Sequence, residues 1–144
     1  MSRYLLDTNI ISNITKPAPS ELLLAWMAEQ ADDDLFISSF TVAEIWRGVL
    51  EKPPGRKRDQ LEAWFAGPEG PSALFVGRVL AFDEKAGLAW ARLMAEGKAR
   101  GRSRSPLDTI IAATAEANNL IVVTDNEDDF YGVEIFNPLR DQEQ

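Results

Sequence analysis

The chain of 144 residues contains no histidine and no cysteine. That double absence excludes a Ser-His-Asp triad, a cysteine nucleophile, an imidazole general base and any Cys/His zinc site. It also excludes a disulfide framework, which is compatible with a reducing compartment. Long apolar runs are missing too. The longest, residues 22–28, falls far short of a bilayer span, and the first residues lack the apolar core of a signal peptide. The expectation is a cytoplasmic protein with no membrane partner. What remains is carboxylate chemistry: 23 Asp and Glu stand against 15 Lys and Arg, for a net charge of -8. Oxygen-only ligand sets suit hard cations such as Mg2+ and Mn2+.

At 45% hydrophobic and 26% charged residues the composition is that of an ordinary globular protein, and the length predicts one domain over residues 1–144. Strands are expected at residues 3–6, 35–37, 78–80, 120–123 and 133–136, the last before a polar tail. Helices are expected at about 20–30, 39–50, 56–65, 83–99 and 106–118, with Ser20, Asp83 and Ser105 as N-caps. In the last of these helices Leu107, Ile110, Ile111, Thr114 and Ala115 form the expected buried side. Residues 67–71, Gly-Pro-Glu-Gly-Pro, read as a loop. Strands alternating with helices imply a three-layer α/β/α fold around a mainly parallel sheet.

Four carboxylates, Asp7, Glu44, Asp108 and Asp125, follow a strand or open the helix after one. In an open parallel sheet such positions converge at the carboxyl ends of the strands, where ligands bind. Each also has a structural explanation. Thr41 to Glu44 matches a capping box, Ser105-Pro106-Leu107-Asp108 places a cap, a first-turn proline and an acid in order, Asp7 suits the cap of a short helix, and Asp125 suits a turn. Capping alone does not require Thr8 and Asn9 after Asp7, or Thr124 before Asp125. The joint pattern therefore points to a metal-binding acidic pocket.

Eight of the 15 basic residues lie in two clusters: Lys52, Arg56, Lys57 and Arg58, and Lys98, Arg100, Arg102 and Arg104. Basic rims on an acidic body suit a polyanionic substrate. The second cluster runs directly into Ser105 to Asp108, which marks it as the stronger candidate for contacting phosphates. Arg47, one turn from Glu44, is placed either to pair with that acid or to reach a phosphate. In the helix beginning at Ser20, the residues Leu22, Leu23, Leu24, Trp26 and Met27 span an arc wider than one core contact needs, which predicts a second apolar surface covered by the chain's own 67–71 loop or by a partner helix.

The segments Leu5-Leu6-Asp7-Thr8-Asn9, Thr41-Val42-Ala43-Glu44 with Gly48, Leu107-Asp108-Thr109-Ile110-Ile111-Ala112-Ala113, and Val122-Val123-Thr124-Asp125-Asn126 with Asp129-Phe130 resemble the PIN-domain ribonucleases, specifically the VapC and FitB-like toxins of bacterial toxin-antitoxin pairs. The resemblance spans residues 4–137 and lies in the order and spacing of the motifs. It implies a Mg2+- or Mn2+-dependent endoribonuclease acting on RNA, a homodimer, and a cognate antitoxin through which alone operator DNA is bound. Asp7, Glu44 and Asp108 match the family's acids; Asp125, Asp128 and Asp129 all fall in the segment of the fourth, with Asp125 preferred and Asp129 next. Asp7 is expected to serve both metals if two bind, Asp108 to complete the first metal's shell, and Glu44 to ligate or to hold the attacking water. The alternatives are a PIN-like binding module without catalysis, and a phosphoacceptor receiver domain, which expects paired acids after the first strand and a late lysine that this chain lacks.

Overall fold

The computed structural model describes residues 2–140; the remainder of the expected polar tail, 141–144, lies outside the described residues. Five short strands, β1 Tyr4–Leu6, β2 Leu35–Ser38, β3 Val79–Leu80, β4 Ile121–Val123 and β5 Ile135–Phe136, form one sheet in the order β3-β2-β1-β4-β5. Every pairing is parallel, with Tyr4 opposite both Leu35 and Ile121. The strands expected from sequence are all present; four are shortened by one or two residues at their amino ends, and β2 begins where expected and gains Ser38.

The pleat sends alternate residues to opposite faces, and each face has its own core. Leu5 and Val122 point toward Leu93, Ile111, Ala112 and Phe130, beneath α6 (Glu84–Ala99) and α7 (Pro106–Ala117). Leu6 and Val123 point the other way, toward Ile10 and Ile11 of α1 (Thr8–Ile14) and Leu23 of α2 (Glu21–Ala28). Two layers of helix therefore enclose the sheet, with α3 (Ser39–Leu50) and α4 (Arg56–Ala66) completing the second layer. Among the described residues no helix is long and apolar enough to cross a membrane.

Three local expectations are corrected. The segment read as a loop at 67–71 continues into a helical turn, α5 Pro71–Leu74, and Gly70 is obligatory at its start because a Cβ there would lie 2.1 Å from the Phe65 carbonyl oxygen. Leu107 is not on the buried side of α7 but 50% exposed, since the first turn of the helix projects past the edge of the sheet. Thr41 does not cap α3: the cap is Ser38, whose hydroxyl accepts from the Thr41 N–H, so Glu44 lies in the second helical turn and its carboxylate meets Thr8 of α1 instead of the helix start.

Candidate active site

The strand order reverses direction between β1 and β4, and that switch point is where open α/β sheets form their ligand crevice. Asp7 ends β1 and Thr124 follows β4, so the two meet there. The Thr124 hydroxyl donates to Asp7 Oδ2 at 2.9 Å, and the Thr8 N–H donates to Asp7 Oδ1 at 2.8 Å as the side chain caps α1. Asp7 is only 6% exposed. Burial pushes its carboxyl up to about 6, against the lowering effect of the two hydrogen bonds, with the charges of Glu44 and Asp108 adding to the rise.

Glu44 enters from α3 on a relay of hydroxyls. Ser38 Oγ lies 3.1 Å from Thr41 Oγ1, Thr41 Oγ1 3.0 Å from Thr8 Oγ1, and the Thr8 hydroxyl donates to Glu44 Oε1 at 2.6 Å. Each hydroxyl carries one proton, so the consistent direction runs from Ser38 to Thr41 to Thr8 to Glu44. Thr8 was legible as a partner of the acids, but the roles of Ser38 and Thr41 were not. The only signal in the sequence was a serine and a threonine separated by three residues ahead of Glu44. Arg47 pairs with Glu51 at 2.9 Å rather than with Glu44, although the Glu44 charge still acts on it.

Asp108 comes from the opposite helix layer. Ser105 caps α7 by accepting from the Asp108 N–H at 3.3 Å, and the indole N–H of Trp90 donates to the Pro106 carbonyl at 3.0 Å, fixing the helix start against α6. Desolvation raises the Asp108 carboxyl above the usual carboxylate range, the charge of Asp129 raises it further, and a hydrogen bond with Ser105 opposes both. Asp125 occupies a different place. It is exposed and lines a shallow recess with Asn126, Glu127, Asp128 and Arg140. Thus Asp7 lies within electrostatic reach of both Glu44 and Asp108, and Asp108 within that of Asp129, while Asp125 is not among the charges that perturb Asp7 or Asp108. Among the described residues no three carboxylates stand close enough to form a ready-made ligand set.

Two arginines of the second basic cluster carry contacts within the fold. The Arg102 and Arg104 guanidiniums lie 3.7 and 4.1 Å from the centroid of the Tyr131 ring, and Arg104 Nε donates to the Leu93 carbonyl at 3.2 Å. Both are engaged in fastening the loop after α6 to the turn before β5. In the first cluster Arg58 pairs with Glu62, whereas Lys52, Arg56 and Lys57 are exposed and make no ion pair among the described residues.

A parallel α/β/α sandwich with acids gathered at its switch point matches a known family, whose PIN-domain model aligns with residues 4–135. The chain belongs to the PIN-domain family. Toxin FitB of Neisseria gonorrhoeae is 36% identical over 139 residues, covering 95% of this chain and 99% of that protein. VapC ribonuclease Y4jK of Sinorhizobium fredii is 38% identical over 135 residues, covering 92% and 95% respectively. The solved structure of FitAB bound to an IR36 DNA fragment matches with a TM-score of 0.87 at 33% identity, covering 97% of this chain and 98% of that one. Within the family the chain is closely related to the VapC and FitB-type toxin components of toxin-antitoxin systems, a kinship that supports a nuclease-type function.

Proposed function

We propose that the chain is a divalent-metal-dependent endoribonuclease, the toxin of a bacterial toxin-antitoxin pair. The observation that carries this reading is Asp7: a buried carboxylate at the switch point, destabilised in its charged form by burial and by two neighbouring acids. A cation relieves that cost, and the surrounding donors are all oxygens, which fits Mg2+ or Mn2+. The separation of the acids fits an ion that keeps several waters and takes further ligands from a substrate phosphate. Asp7, Glu44 and Asp108 would hold it. The fourth acid stays a choice among Asp125, Asp128 and Asp129, and charge coupling to Asp108 favours Asp129.

When bound, the ion supplies charge neutralisation at the scissile phosphate and acidifies water. The chain's own part is orientation. The Thr124 hydroxyl and the Thr8 N–H each take one Asp7 oxygen from behind, fixing the carboxylate plane. The Thr8 hydroxyl takes one Glu44 oxygen and leaves the other to accept from an attacking water. The dipole at the start of α7 favours the ionised form of Asp108 next to other acids.

Kinship extends the reading to partners. FitAB is bound to DNA in a solved structure, and we infer for this chain a cognate antitoxin through which operator DNA is reached. Leu22 and Leu24 on α2 are 48% and 45% exposed on either side of the buried Leu23, and either leaves apolar surface for an amphipathic antitoxin helix. Leu23 is fully buried and belongs to the core. Phe82, Leu88 and Leu107 form further exposed apolar surface suited to a homodimer. The deciding experiment titrates Mg2+ and Mn2+ against cleavage of single-stranded RNA. Metal-dependent cleavage that EDTA abolishes is expected; a folded protein inert at every metal concentration is instead a PIN-like binding module.

A further inference from the structure

A cleft of about 260 Å³ opens beside Glu44, between α1, α3 and α4. Glu44 and Gly48 lie four residues apart and so share one face of α3, and Lys52, two residues past the end of that helix, also lines the cleft, which thus leads from the acid toward an ammonium. Ser12 stands on the α1 wall and Trp64 on the α4 wall, over a floor that includes Ile45 and Leu61. The volume is below that of pockets enclosing drug-sized ligands, so it suits one unit of a polymer whose remainder lies outside.

Gly48 is the informative residue. Its backbone is helical with no positive φ, and a Cβ added there would meet nothing within 4 Å. Neither conformation nor close packing demands glycine, although glycine inside a helix is destabilising relative to alanine. The space it leaves is part of the cleft. At the mouth, Lys52 has no carboxylate partner among the described residues, and Arg56 and Lys57 are likewise exposed without ion pairs. An aromatic wall, an apolar floor and a cationic exit are the elements of single-strand binding, where bases meet aromatic rings and lysines meet phosphates.

We infer that this cleft is a nucleotide subsite: it receives the base next to the scissile phosphate of single-stranded RNA, against Trp64 and in the space kept open by Gly48, with Lys52 on the following phosphate. The inference rests on the nuclease reading for its substrate class. An antitoxin peptide is the competing occupant, but unpaired cations continuous with Glu44 favour a polyanion.

The test crosses a filled cleft with a missing base. Binding of a labelled single-stranded RNA is followed by fluorescence polarisation with Ca2+ in place of Mg2+, and an abasic nucleotide is placed at each position in turn. Gly48→Met should raise Kd roughly tenfold, the size of one lost base–aromatic contact, while thermal stability holds or rises. One abasic position should weaken wild-type binding by a similar factor, and Gly48→Met should be indifferent to it. Trp64→Leu should show the same loss of coupling. Equal discrimination of the abasic RNA by wild type and Gly48→Met overturns the subsite, as does a Gly48→Met protein that loses only antitoxin affinity. Coupling in binding with no cleavage in Mg2+ or Mn2+ would instead overturn the nuclease reading and leave the subsite standing.

Discussion

Asp7 and Glu44 are held from far away in the chain, Asp7 by Thr124 and Glu44 by Thr8, whereas Asp108 is steadied by Ser105, only three residues before it. The first pair is thus a product of the tertiary fold and forms only when β1, β4 and α3 assemble. The second wall of the site is a local capping arrangement that any helix with that sequence start would make. Burial follows the same division: Asp7 is enclosed, while Asp108 is partly exposed and Asp129 exposed. One wall is rigid and costly to charge. The other is solvated and adjustable, which suits the side on which a substrate phosphate arrives and leaves.

The largest expected effect comes from removing the charge on the rigid wall. Asp7→Asn keeps an acceptor for the Thr8 N–H but is a poor metal ligand, so cleavage should fall by more than the roughly 10- to 100-fold typical of losing an outer partner. Stability should move the other way. The folded protein holds the Asp7 proton more tightly, with a pKa of about 6 against an ordinary 3.8, so without metal the native state binds more protons than the unfolded state between those values. Stability then falls as pH rises from about 4 to 6 and stays low above that, by up to about 3 kcal/mol. Urea melts in EDTA should show this slope in the wild type and lack it in Asp7→Asn, which should be the more stable at pH 7. A wild-type curve flat across that window would refute the burial argument.

Next in size is the link that makes the rigid wall long-range. Thr124→Val preserves shape and removes the hydroxyl that lowers the Asp7 carboxyl, so metal affinity should drop roughly 10- to 100-fold with the fold retained. Ser105→Ala, the corresponding cut on the local wall, should cost about 1 kcal/mol of stability as a lost cap and much less metal affinity. Equal losses of affinity in the two variants, measured by titration calorimetry, would erase the distinction between the walls.

A smaller effect separates the candidates for the fourth acid. Asp129→Asn removes the charge that raises Asp108 and should reduce cleavage, whereas Asp125→Asn, in the neighbouring recess, should leave it near wild type. The reverse ranking in a cleavage assay at saturating Mn2+ would move the fourth position to Asp125.

This contrast also explains what the sequence made legible. Ser20, Asp83 and Ser105 are recognisable caps because capping is local, and the strands are recognisable because β1, β2 and β4 carry short apolar runs buried on both faces of a parallel sheet. Asp7 could be placed by the rule about strand ends, whereas Asp108, in the first turn of α7 after α6, was tied to it only by the joint pattern of motifs. The Ser38–Thr41–Thr8 relay could not, since it joins residues 33 apart in sequence through contacts that only the packing of α1 on α3 creates. The α5 turn was hidden inside a Gly-Pro segment. Leu107 looked like a core residue because periodicity cannot indicate that the first turn of α7 lies beyond the sheet.

The two basic clusters extend the same lesson to the rim and give the smallest predicted effect. Adjacency in sequence favoured Arg102 and Arg104 as phosphate contacts, yet their guanidiniums are committed to the Tyr131 ring and, for Arg104, to the Leu93 carbonyl. Lys52 and Lys57, farther in sequence from the candidate site acids, are exposed without ion pairs among the described residues, and Lys52 lines the cleft beside Glu44. Arg104→Ala should therefore lower stability by about 1–2 kcal/mol through the lost hydrogen bond and ring contact, with little change in the salt dependence of RNA binding. Lys57→Ala should leave stability within about 0.5 kcal/mol while reducing the log–log salt slope by roughly 0.7, the value for one phosphate contact to a single strand. Thermal melts and binding titrations across a salt series check both halves. A reduced slope in Arg104→Ala with an unchanged melt would return the second cluster to the RNA path, because a guanidinium that serves only the fold cannot release counterions.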